Sequence, residues 1–185
     1  MKKVAIVVGH WPTSIDGGAY NDDLKMSEFD FNNQLAPLLA SKVREHGYIP
    51  IIVYRETYSL LPEQVNDTKA DICISLHCNA FDSDPHGSEV LYHYSSTNGK
   101  RLAQAIQDNV VSCLQLPDRG IKPIDYDYEG GAGDKGGWLV EKTSMPCVIV
   151  EPFFIDSNSS LESAINKLDE LADAMASGID TYMDG

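Results

Sequence analysis

Long apolar runs are missing from this 185-residue chain. Its most apolar stretches, at 4–8, 72–76 and 147–150, are strand-sized. Each falls far short of the roughly 20 residues that a bilayer-crossing helix needs, so no membrane span is expected. A secretion signal is missing as well. Lys2 and Lys3 precede the first apolar stretch, but Gly9 and His10 follow it at once, which leaves no h-region of proper length and no small-residue cleavage site. The stretch therefore reads as the first strand of the fold, and synthesis in the cytoplasm without a signal peptide is expected. Positive charge is scarce: 14 Lys and Arg stand against 28 Asp and Glu, a formal net charge of −14. That balance argues against nucleic acid as a partner, because its binders need a basic footprint. It also provides no long-range attraction toward any anionic polymer.

Cysteine is sparse too. Cys73, Cys78, Cys113 and Cys147 form no CxxC pair and no zinc-finger spacing. Cys73 and Cys147 lie within apolar runs, where cysteine acts as a small hydrophobe. Free thiols of a reducing compartment are the expectation. There is no internal repeat and no low-complexity segment.

What is present is an ordinary globular composition, 43% hydrophobic and 23% charged, at a length that suits one domain with a full core. Strand-like runs at 4–8, 49–54, 70–77, 88–94 and 146–151 alternate with helical periodicity at 28–46, 60–69, 97–116 and 161–179. The alternation predicts a single α/β domain over residues 1–185, with a mainly parallel twisted sheet flanked by helices on both faces. Ser27 is placed to cap the first helix and Gly47 to end it, while Pro37 predicts a kink or a later start. Residues 11–24 read as loop. Residues 118–122, DRGIK, read as the opening of an irregular glycine-rich surface segment, and 138–141 as a short strand.

Chemically capable side chains sit at element ends. His10 follows the first strand, Glu28 opens the first helix, His77 ends the strand at 70–77, and Glu151 ends the strand at 146–151. Ligands of open α/β sheets bind outside the carboxyl ends of strands. If these three strands are parallel neighbours, His10, His77 and Glu151 share one rim, with Glu28 entering from the loop side. Two histidines and a carboxylate would leave an open position on zinc for water, and a second carboxylate could move the proton. Taken singly, each residue has a structural reading: a histidine closing a strand, or a glutamate at a helix N-terminus stabilised by the dipole. Glu151 is harder to explain structurally, because a carboxylate among Val148, Ile149 and Val150 costs free energy unless paired or used. His46, His86 and His93 are rival ligands. His46 is expected to be solvated beside Gly47, His86 lies in a polar loop, and His93 has no carboxylate pattern near it. Alternation points Cys78 away from the face of His77. On spacing alone the site is a possible zinc hydrolase.

Several motifs go further: VGH at 8–10, Glu28, VYRET at 53–57, NDTKADICISLHCNA at 66–80, Gly87-Ser88-Glu89, DRGIK at 118–122 and MPCVIVEPFFIDSN at 145–158. In this order they resemble the zinc-dependent N-acetylmuramoyl-L-alanine amidases of bacterial wall remodelling and phage endolysins. The resemblance implies that His10, Glu28 and His77 bind Zn2+ and that Glu151 is the catalytic carboxylate. It implies a peptidoglycan substrate, cut between N-acetylmuramic acid and L-alanine. Arg119 is a candidate for meeting a stem-peptide carboxylate and equally for a structural ion pair; Asn79 is a candidate for fixing its loop or contacting substrate. The segments 81–87 and 130–137 would border the groove. The chain departs from the family's pattern at WPTSIDGGAY after His10, at Phe29 after Glu28, and at Gln64-Val65-Asn66. The expected setting is an endolysin released through a holin, or a catalytic domain cut from a longer chain, with wall binding supplied by a separate module. The competing readings are a non-catalytic wall-binding or regulatory relative, and another zinc peptidase or deacetylase on the same fold.

Overall fold

The computed structural model describes residues 1–12, 16–81, 86–125 and 136–185. Its frame is a six-stranded sheet in the order β4-β1-β5-β8-β6-β7. The strands are β1 (Lys3–Val8), β4 (Ile49–Tyr54), β5 (Ile72–Leu76), β6 (Ser88–His93), β7 (Asp118–Ile124) and β8 (Cys147–Glu151). β4, β1, β5 and β8 are mutually parallel. β6 runs antiparallel to β8, and β7 runs parallel to β6. The central apolar runs are β-branched and buried on both faces, which is why they read as continuous rather than alternating.

Alternate residues feed two cores. Val4, Ile6, Val8, Ile72, Ile74, Leu76, Val148 and Val150 face the larger one. There they meet α1 (Glu28–Glu45), α3 (Thr97–Leu114), α5 (Asn158–Asn166) and α6 (Leu168–Asp184), through residues such as Leu35, Ile106, Leu161 and Met175. Ala5, Val7, Cys73, Cys147 and Ile149 face the other core, against the short helices α2 (Leu61–Asp67) and α4 (Gly137–Lys142). Because those helices are short, the described residues cover this second face incompletely, and a cleft lies beside the strand ends. Helices on both faces and a mostly parallel sheet match the expectation from the alternating pattern.

Ser27 caps α1, accepting from the Asp30 N–H, and the helix closes in a Schellman arrangement around Gly47, at φ 84°. Four local expectations need correction. Pro37 does not delay α1, which runs from Glu28 to Glu45: it lies on the exposed face, where the Asn33 carbonyl it leaves without an N–H is within reach of water. DRGIK is a strand, because pairing with β6 satisfies its backbone despite Gly120 and Pro123. Residues 138–141 are helical, since Leu139 and Val140 bury together only at helical spacing. The last helical pattern is two helices broken at Lys167, whose Nζ donates to the Cys113 carbonyl. Within 11–24, Tyr20–Asn21 begins a two-stranded ribbon, β2, that pairs with Met26–Ser27, β3. Residues 82–85 and 126–135, which hold most of the two segments expected to border the groove, lie outside the described residues.

Helices α3 and α6 pack against each other, with Gly178 of α6 set on the α3 backbone. A Cβ on Gly178 would stand 2.7 Å from Ile106 Cα and 2.8 Å from the Ala105 carbonyl oxygen. Alanine gains about 1 kcal/mol over glycine in a helix, but overpacking against fixed backbone costs about 1–3 kcal/mol. Gly178→Ala is therefore expected to lower the urea unfolding free energy by up to about 2 kcal/mol; a gain in stability would show that the crossing relaxes freely.

Candidate metal centre and cleft

β1 and β5 are in register from Val4 against Ile72 to Val8 against Leu76, so the chain leaves both at the same rim. Gly9 follows Val8, and its N–H donates to the Leu76 carbonyl at 3.0 Å. His10 then turns in the left-handed region at φ 64°, uncommon for a residue with a Cβ. His77 follows Leu76 directly. Glu28, the first residue of α1, is only 3% exposed and reaches up between the two rings. His10 Nε2 lies 3.2 Å from Glu28 Oε2, and His77 Nδ1 lies 3.0 Å from Glu28 Oε1. The two imidazoles meet edge to face with centroids 5.2 Å apart. One donor atom from each of the three residues lies within 4.8 Å of the others, close enough to hold one metal ion.

Backbone completes the cradle. The Cys78 N–H donates to Glu28 Oε1 at 2.9 Å and the Ala19 N–H to Oε2 at 3.2 Å. Burial pushes the Glu28 carboxyl upward, but hydrogen bonds and charge from His10 and His77 outweigh it, and the group is held far below the ordinary carboxylate range. Burial likewise lowers His10, and the bonds and charges of Glu28 and then Asp16 overcome it, leaving the imidazole raised. Buried negative charge facing two ring nitrogens is what a divalent cation would satisfy.

Asp16 was not singled out from the sequence. Its Oδ1 lies 3.3 Å from His10 Nδ1, and its Oδ2 accepts from the Arg55 guanidinium. The carboxylate thus orients the imidazole so that Nε2 faces Glu28, the usual arrangement behind a metal-ligating histidine. Its position in the Asp16-Gly17-Gly18-Ala19 turn after His10 was the available signal.

Glu151 lies two residues beyond Ile149 on β8, on the thinly covered face, and both line a cleft of about 1040 Å³ together with His10, Glu28 and His77. Glu89 stands opposite Glu151 across the β6–β8 pair, and the cleft reaches it too. It also escaped the sequence reading, although a carboxylate within the apolar strand SEVLYH raises the same cost as Glu151. Glu89 is buried and satisfied on both oxygens: Asn79 Nδ2 donates to Oε1 and Arg119 Nε to Oε2, each at 2.7 Å. Arg119 also lies over the Phe154 ring, 4.9 Å from its centroid. Asn79 is further held by backbone bonds to Phe153 and Ile155 and lines the cleft. Arg119 therefore sits in an ion pair, and Asn79 fixes its loop while facing the cleft.

The rival ligands sit elsewhere. His46 is half-buried against Asp180, with Nδ1 3.1 Å from Oδ2, rather than solvated. His86 bonds to Ser157 and Ser160 at the start of α5. His93, expected to lack carboxylates, has Asp125 and Glu141 beside it. Cys78 is buried in the larger core, as alternation required.

Glycines admit the histidines. A Cβ on Gly9 would fall 2.4 Å from the Leu76 oxygen and 2.6 Å from His77 Cε1; one on Gly18 would fall 2.6 Å from Glu28 Oε2. Gly9→Ala is expected to cost about 1–3 kcal/mol in unfolding free energy and to reduce divalent-ion uptake, measured by denaturation and by metal analysis. Unchanged uptake would show that His77 is not held by this contact.

Comparison with known proteins agrees with this geometry. The family model for N-acetylmuramoyl-L-alanine amidase matches residues 4–181. N-acetylmuramoyl-L-alanine amidase LytC of Bacillus subtilis is 32% identical over 90% of this chain, which spans 33% of LytC. The crystal structure of N-acetylmuramoyl-L-alanine amidase from Clostridium difficile 630 superposes with a TM-score of 0.84 at 25% identity, covering 100% of this chain and 97% of that one. The catalytic domain of CD27L endolysin, targeting Clostridia difficile, gives a TM-score of 0.81 at 26% identity, covering 97% of each chain. With the fold and nearly the whole sequence in agreement, the chain belongs to the N-acetylmuramoyl-L-alanine amidase family.

Proposed function

We propose that this chain is a zinc-dependent hydrolase that cuts the amide between the lactyl group of N-acetylmuramic acid and the L-alanine of the peptidoglycan stem peptide. The observation that supports it most is the convergence of His10, Glu28 and His77 on one small volume, in a cleft that Glu151 also lines. The donor set of two imidazole nitrogens and one carboxylate suits zinc and leaves room for a further ligand. When bound, zinc supplies Lewis-acid activation of the scissile carbonyl and of water.

The remaining work falls to side chains. His10, Glu28 and His77 hold the ion, and Asp16 keeps His10 in the required orientation. Glu151 takes a proton from the attacking water and delivers it to the departing alanine nitrogen. The apolar wall of Leu91, Leu139 and Ile149 excludes water from one side of the groove. Asn79 is placed to contact substrate, and Arg119 shares its guanidinium between Glu89 and whatever anionic group the stem peptide presents.

The biological setting is proposed on narrower grounds. The likeness to the CD27L catalytic domain supports an endolysin-type role at the bacterial wall. The net charge of −14 gives no attraction to an anionic wall, so anchoring falls to a separate wall-binding module or partner.

Glu151→Gln is expected to keep stoichiometric zinc and lose about 100- to 10,000-fold in kcat, measured as release of soluble fragments with new alanine amino termini from purified walls. Full activity in that variant would remove Glu151 from the chemistry. Asp16→Ala is expected to weaken zinc binding about 10- to 100-fold, read by competition with a chromogenic chelator; unchanged affinity would leave Asp16 only its pairing with Arg55.

A further inference from the structure

A second cluster of metal-ligating side chains lies away from the cleft rim. His93 ends β6, Asp125 follows the end of β7, and Glu141 sits on α4. One donor atom from each lies within 4.8 Å of the others. Along β6, His93 is four residues beyond Glu89, about 13 Å at strand rise, so the cluster stands toward the opposite end of the sheet from Glu151.

We propose that His93, Asp125 and Glu141 bind a second first-row divalent cation, of which zinc is the natural probe. A separate observation points to a ligand there. Among the described residues, Glu141 Oε2 is buried without a hydrogen-bond partner, while Oε1 accepts from Lys142. A buried carboxylate oxygen left bare costs free energy that a cation would recover. The Lys142 ammonium also lies over the Trp138 ring, 5.2 Å from its centroid. His93 Nδ1 bonds to Ser95 Oγ at 3.0 Å, which fixes the ring and leaves Nε2 as the nitrogen available to an ion. One imidazole with two carboxylates suits zinc and its first-row neighbours better than magnesium or calcium, which favour all-oxygen shells.

The site has a structural consequence. Gly136, Trp138 and Leu139 of the α4 region line the cleft, while His93 and Asp125 stand at the ends of β6 and β7. An ion bridging them ties one wall of the groove to the sheet, from a distance and without touching the reacting atoms.

The test counts zinc per chain in the full-length protein after chelator stripping, reloading and gel filtration, by inductively coupled plasma mass spectrometry. Wild type is expected to hold two ions and the near-isosteric Glu141→Gln one. His77→Ala removes the cleft ion only, so a zinc titration of that variant isolates the second site, and adding Glu141→Gln should abolish the remaining binding. Equal zinc content in wild type and folded Glu141→Gln overturns the proposal, as does a His77→Ala chain that takes up none. A count that falls with Glu141→Gln but not with His77→Ala would instead overturn the cleft assignment and leave this one standing.

Discussion

The structure turns on one buried carboxylate. Glu28 is 3% exposed at the first position of an 18-residue helix, with a ring nitrogen and a backbone N–H directed at each of its two oxygens. An ionised group so placed is tolerable only if every acceptor site is met and the surrounding potential is positive. The helix N-terminus supplies part of that potential, and His10 and His77 supply the rest. The scaffold's task is to bring those histidines to Glu28. It does so through the in-register pairing of β1 with β5, which ends both strands at one rim.

The surrounding features follow from that requirement. His10 accepts an unfavourable left-handed backbone, Gly9 and Gly18 give up side chains that would strike His77 and Glu28, and Asp16 with Arg55 holds the imidazole from behind. On the far side of the cleft, Glu89 and Glu151 stand opposite each other on antiparallel strands, an arrangement of like charges that is destabilising without counter-charge. Arg119 and Asn79 neutralise and fix Glu89, and both it and Glu151 line the groove. A site of this kind opposes stability locally, and the two apolar cores that sandwich the sheet offset it.

Much of this was legible in the residues. β1, β5 and β8 announce themselves as short β-branched runs, the Ser27 and Gly47 signals bracket α1, and the four element-end residues His10, Glu28, His77 and Glu151 do meet in one cleft. What escaped were features decided by partners distant in sequence. DRGIK contains glycine, and a proline follows at once, so it reads as irregular; only β6 alongside makes it a strand. The run at 138–141 is too short for its period to distinguish helix from strand, and packing against Ile149 and its neighbours chooses the helix. The reversal of β6 relative to β8 has no local signal, yet it is what sets Glu89 opposite Glu151. The roles of Asp16, Glu89 and the carboxylates around His93 were missed for the same reason: each gains its meaning from a residue elsewhere in the chain.

The central claim is that His10, Glu28 and His77 jointly form the metal centre. Anomalous diffraction at the zinc edge from a zinc-loaded crystal addresses it directly. The account predicts a peak at the mouth of the cleft, about 2.0–2.2 Å from a ring nitrogen of each histidine and from a Glu28 oxygen. A zinc-loaded crystal with no peak between these three residues, or with Glu28 still bonded to both rings and the ion held elsewhere in the cleft, would contradict it.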